Sequence, residues 1–169
     1  VAGEAGEASL TNSAAVTTQG NAAYGLFTQS VGGGGGDGGG SLAVVLGKHD
    51  GAANLAIAIG GSGDGGGNAS NVTSTNYGTV ITSGDKAHGI VAQSVGGGGG
   101  DGGFSASGVV AKGTKTKDLS VSVGGSAAEG GDAGTVNVTN SGSVFTQGQG
   151  AAGIVAQSLG GGGGSGGFS

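Results

Sequence analysis

The chain has 169 residues, 48 of them glycine, a net charge of −5, and no Pro, Cys, Met or Trp. Absent cysteine excludes disulfides and thiolate metal sites, and five lysines without any arginine leave no basic patch for nucleic acid. So much glycine usually means a flexible linker, but apolar residues still reach 34%, and missing proline with no Gly-X-Y phase excludes collagen.

Along the opening segment, 1–41, stand Asn12, Val16, Thr18, Gly20 and Ala23, then Gly25-Leu26-Phe27-Thr28-Gln29-Ser30-Val31 running into Gly32 to Gly36. The same order returns as Gly89-Ile90-Val91-Ala92-Gln93-Ser94-Val95 with Gly96 to Gly100. It comes again as Gly153-Ile154-Val155-Ala156-Gln157-Ser158-Leu159 with Gly160 to Gly164. Gln29, Gln93 and Gln157 share one constant spacing, and the same shift carries Asn12 onto Asn76 and Asn140. A constant period without insertions means that each unit occupies an equivalent place in a stack. The chain thus divides into a partial unit, 1–41, and two full units, 42–105 and 106–169, of one continuous solenoid. Stacked repeats need polar caps, so the expectation is a window from a longer array, with any targeting segment outside it or removed.

Within a unit the pattern predicts about five short strands and almost no helix. In the last unit they fall near 104–112, 118–124, 135–140, 143–147 and 152–159. Leu119-Ser120-Val121-Ser122-Val123 and Val136-Asn137-Val138-Thr139 alternate apolar and small polar residues with period two. Glycine after a polar residue, as in Asn140-Ser141-Gly142, marks the bends. Repeating strands of this kind predict an all-β fold, a parallel β-helix (β-solenoid) built from 64-residue repeats. Two layouts fit: three coils of roughly 21 residues per unit, which matches ordinary solenoid coils and is favoured, or one wide coil per unit. Five glycines in a row carry a backbone cost. Their constant number predicts ordered, mutually packed segments in the extended three-residue-per-turn helix rather than loops.

Chemistry-bearing motifs are few. Gly-x-Gly-x-x-Gly strings arise from the glycine content alone and join no strand to a helix. Asp37 and Asp101 follow their glycine runs in a partial match to the calcium nonapeptide, but the third unit carries Ser165 there, so they are weak metal candidates. His49 and His88 are not repeated, and no Ser, His and acid recur together. No catalytic residue, cofactor or enzyme activity is expected. Gln29, Gln93, Gln157, Asn12, Asn76 and Asn140 read as structural repeat positions, because buried amides need amide or backbone partners. Asn68, Asn71 and Asn137 match the glycosylation acceptor and read more simply as strand residues. No apolar run approaches the length that spans a bilayer, so direct membrane insertion by this segment is not expected.

Asn-Ser-Gly-Ser-Val followed by Ala151-Ala152-Gly153-Ile154-Val155-Ala156-Gln157-Ser158-Leu159 and a glycine run resembles the passenger regions of large autotransporter adhesins of Gram-negative bacteria. Asn76-Tyr77-Gly78-Thr79-Val80 and Ala87-His88-Gly89-Ile90-Val91-Ala92-Gln93-Ser94-Val95 repeat that pattern. The likeness covers the C-terminal half of each unit and implies a right-handed parallel β-helix exported to the cell surface. Two functions follow as expectations. The first is an extracellular adhesin passenger, a stiff stalk or extended contact surface for host or surface ligands. The second is a self-assembling filament subunit, packed on copies of itself through strand ends and glycine faces.

Overall fold

The computed structural model describes residues 2–169, and every regular element among them is a strand. The first coil holds β1 (Ala8–Asn12), β2 (Val16–Thr18), β3 (Leu26–Val31), β4 (Ser41–Gly47) and β5 (Ala53–Ile59). The second holds β6 (Val72–Asn76), β7 (Val80–Thr82), β8 (Ile90–Val95), β9 (Ser105–Ala111) and β10 (Lys117–Val123). The third adds β11 (Val136–Asn140), β12 (Val144–Thr146) and β13 (Ile154–Leu159). These last five strands lie within a residue or two of the segments predicted from alternation.

Every strand pairs in parallel with its equivalent one repeat away. Sheets β1-β6-β11, β2-β7-β12 and β3-β8-β13 have three strands, and β4-β9 and β5-β10 have two. The 64-residue register holds throughout, as in Leu26 on Ile90 and Ile90 on Ile154. The three-coil layout is therefore wrong: each unit is one wide coil. Strands within a unit differ in length, from three residues to seven, so they could not match side chain to side chain as equivalents do. Only the 64-residue step puts Val16 on Val80 and Asn12 on Asn76, and like-on-like columns are what a ladder rewards. The unit boundaries at 41/42 and 105/106 fall inside β4 and β9, so they mark a repeat length and not separately folded pieces.

The apolar core is narrow. Leu26, Val80 and Ile90 form its centre, with Leu10, Val16, Val138 and Val144 packed against it. Two left-handed backbone turns recur, one in all three coils and one in the first two. Ala22, Lys86 and Gly150 share one, at φ of 54°, 56° and 67°, and Gly51 and Lys115 share the other, at 72° and 60°. Both need the left-handed region, which only glycine enters without steric cost.

Candidate functional site: side-chain ladders, a glycine slab and an apolar arch

Three kinds of repeated structure are candidates for function. Amide ladders come first. Asn12 Nδ2 donates to Asn76 Oδ1 and Asn76 Nδ2 to Asn140 Oδ1, both at 2.8 Å. Each of these amides also donates to the carbonyl two residues on: Ala14 at 2.8 Å, Gly78 at 2.9 Å and Gly142 at 2.9 Å. Both N–H groups of the amide are thus used at the bend, which is how Asn76 is tolerated fully buried. Gln29, Gln93 and Gln157 form a second, exposed ladder at 3.2 and 2.5 Å. At the turns a side-chain oxygen accepts the backbone N–H of the next coil: Asn68 from Asp132, Asn71 from Thr135 and Asp85 from Gln149.

Sequence reasoning missed a hydroxyl stitch inside the Gln-Ser motif. Ser30 Oγ donates to Gly6 O and accepts from Ser70 N–H, both at 2.9 Å. Ser94 repeats this with Ser70 O and Gly134 N–H. The serines sew the β3-β8-β13 sheet to the opposite wall, alternating partners along the stack. Their constancy beside each glutamine was the available signal.

The glycine segments form the second structure. Residues 32–40 and 60–68, with their equivalents one repeat on, run antiparallel and interleave. One chain of bonds crosses them: Gly33 N–H donates to Gly3 O, Gly67 to Gly33, Gly97 to Gly67, Gly131 to Gly97 and Gly161 to Gly131, at 2.7–2.9 Å. A second class joins each segment to its own equivalent, as Gly32 to Val95, Gly35 to Gly98 and Gly38 to Asp101. The third class, Gly34, Asp37, Gly98 and Asp101, is exposed. Bonding thus recurs every three residues, the period of an extended glycine helix. A three-residue phase is present after all, glycine-glycine-open, which the uninterrupted glycine run conceals. The physical reason is room. A Cβ on Gly97 would lie 1.9 Å from Gly33 O, whereas one on Gly98 meets nothing nearer than Gly162 O at 3.8 Å. Asp37, Asp101 and Ser165 occupy the open class.

The third structure is an arch. β4 and β5 are joined by the short arc 48–52, but they lie in two different sheets that face each other. Small residues point inward: Ala56 and Ala58 are buried, and Ser107 Oγ stands 2.7 Å from Ser120 Oγ. The large apolar residues point outward. Leu42, Val44 and Leu46 are 73%, 57% and 67% exposed, and Leu55, Ile57 and Ile59 lie open on the other side.

Candidate ligand residues are spread out. Asp37 Oδ1 accepts from Asp101 N–H at 2.9 Å, and Asp101 Oδ1 from Ser165 N–H at 2.5 Å. Among the described residues no three His, Cys, Asp or Glu side chains are grouped to hold a metal ion. His88 Nδ1 accepts from Ala152 N–H at 2.9 Å, and its ring stacks on Tyr24, while His49 lies on the exposed arc. Among the described residues no helix is long and apolar enough to cross a membrane. The class that fold and ladders define is an all-β, parallel-stranded, solenoid-like repeat. No family model, curated protein or solved structure matches the chain.

Proposed function

We propose that this segment is an extracellular structural or adhesive repeat, a passenger-type module of a bacterial cell surface, that works as an extended contact surface and not through catalysis. The observation that carries the reading is which residues the stack repeats. Those that recur in place close ladders and turns, whereas His49 and His88 stand opposite Gly113, Tyr24 and Ala152 one coil away. A reactive centre needs several groups held in fixed relation, and no such group recurs.

Magnitude chooses between stalk and contact surface. Parallel strands stack about 4.8 Å apart, so each 64-residue coil adds only that much length. A coil of one third that size would reach three times further for the same chain. The wide coil devotes its residues to lateral surface, which supports the contact-surface form. Export, secretion route and surface display rest on the adhesin resemblance.

Antibodies to this segment, applied to intact and to permeabilised cells of the source bacterium, test display. Labelling of intact cells is expected. Beads coated with the folded segment are then expected to adhere to surfaces more strongly than beads carrying a Gly97→Ala chain with a disrupted slab. Labelling confined to permeabilised cells would overturn the reading.

A further inference from the structure

One outer face of the arch is bounded by opposite charges at its two ends in two successive coils. On β4 the even-numbered residues Leu42, Val44 and Leu46 point outward, and Lys48 continues that face onto the arc. The β9 strand stacks on it in register, with Leu46 on Val110, and Lys112 follows where Lys48 does. Toward the other end, Phe104 belongs both to this even-numbered face and to the open class of the glycine slab. Its ring stacks on Phe168 with centroids 5.7 Å apart. Three residues further back in the same open class stand Asp101 and, one coil below, Asp37. The coils of β4 and β9 each carry a carboxylate at one end of this face and a lysine at the other. Between them the large apolar residues are Leu42, Val44 and Leu46 on the first, where Leu42 and Val44 stack on Ala106 and Gly108, and Phe104 and Val110 on the second.

Charge is distributed accordingly. Of five lysines, four (Lys48, Lys112, Lys115 and Lys117) sit at the arc end of the arch, on a chain of net −5. Lys48 and Lys112 stack in one column, like charge on like. A planar lipid surface is a poor match for this strip: it would meet the carboxylate column as well as the lysines, and open strand edges are not tolerated in hydrocarbon.

We infer that the strip docks on the same strip of a second copy, related by a two-fold axis parallel to the stacking axis. That operator reverses strand direction but keeps coil order. It places Lys48 and Lys112 of one copy opposite Asp37 and Asp101 of the other, coil by coil, brings Leu42 and Val44 over the first residues of the partner's β4, and sets Leu46 on the partner's bare glycine segment at Gly39 and Gly40. A two-fold interface of this kind is isologous, and the opposed ends supply register. The other in-plane axis sets lysine on lysine and is disfavoured. The inference stands independently of surface display.

Area sets the strength. Four extended residues at about 3.1 Å and seven strand residues at about 3.3 Å make the strip about 35 Å long. With coils about 4.8 Å apart, each contributes about 170 Å². A stable interface needs about 800 Å² per partner, so about five coils are required. Two strips, that of β4 and the less apolar one of β9, give weak association in this chain and stable association in a longer array.

The chain has no cysteine, so single-cysteine variants report the contact directly. Leu42→Cys and Val44→Cys are expected to form disulfide dimers rapidly under mild oxidation at high protein concentration. Ile57→Cys, on the opposite outer face, is expected to stay monomeric. The Lys48→Glu/Lys112→Glu variant should weaken association about tenfold, and adding Asp37→Lys/Asp101→Lys should restore it, with strand content checked by circular dichroism. Equal cross-linking of Ile57→Cys, or no selective dimer at any concentration, overturns the inference. So does charge reversal without rescue, or co-sedimentation of the uncross-linked chain with anionic phosphatidylglycerol vesicles in place of dimerisation.

Discussion

Adjacent glycines in the slab should respond in opposite ways to the same methyl group. At Gly97 an added Cβ would stand 1.9 Å from Gly33 O and 2.5 Å from Gly33 C, far inside contact, and both are backbone atoms with no rotamer to yield. The segments must separate there. Three bonds share that crossing: Gly67 N–H to Gly33 O at 2.8 Å, Gly97 to Gly67 at 2.9 Å and Gly131 to Gly97 at 2.7 Å. At about 1 kcal/mol net each, Gly97→Ala should cost about 3 kcal/mol. At Gly98 the nearest atom would be 3.8 Å away and φ is not in the left-handed region, so Gly98→Ala is free of clash. It restricts the unfolded chain and should stabilise by about 0.4–1 kcal/mol. Urea unfolding followed by far-ultraviolet circular dichroism measures both, with the m-value checked for constancy. Equal effects at the two positions would falsify the packed slab and return the glycines to loops.

Four further outcomes follow from the ladders and turns. Asn76→Ala removes a fully buried amide that bonds Asn12, Asn140 and Gly78 and should cost about 2–3 kcal/mol, whereas Gln93→Ala in the exposed ladder should cost under about 1 kcal/mol; denaturant midpoints of the two variants decide. Ser74 is buried with an unpartnered hydroxyl, between Leu10 and Val138 in its column. Ser74→Ala should therefore be neutral or stabilising by about 1 kcal/mol in the same assay, and a clear loss would point to a hidden partner. Lys86→Gly, at φ 56° where the third coil has Gly150, should raise the melting temperature by a few degrees, with about 1 kcal/mol of left-handed strain relieved. Ser94→Ala breaks the stitch to Ser70 O and Gly134 N–H and leaves both backbone groups unpaired, so a cost of about 2 kcal/mol is expected, with faster amide exchange at Gly134.

Sequence alone determined the period, the strands and their parallel sense, because a 64-residue repeat of Val, Ile, Asn and Gln in place is a statement about which residues neighbour which. Alternation located β9 to β13 to within a residue or two, and the 64-residue spacing marked Asn76 and Gln93 as repeat positions, although the glutamine ladder is exposed and not buried as the sequence reading supposed. The coil width was not legible, since a repeat length does not say how many turns the chain makes before it returns to register. Nor was the glycine phase: Gly97 and Gly98 are the same letter, and only the approach of Gly33 O separates a position that excludes a methyl from one that admits it. The arch was hidden for a similar reason. Leu55-Ala56-Ile57-Ala58-Ile59 alternates large with small, and alternation names two faces without saying which one is buried. The tertiary structure turned the alanines inward, because two sheets closing on small side chains come near enough for Ser107 and Ser120 to bond. That choice left the leucines and isoleucines outside.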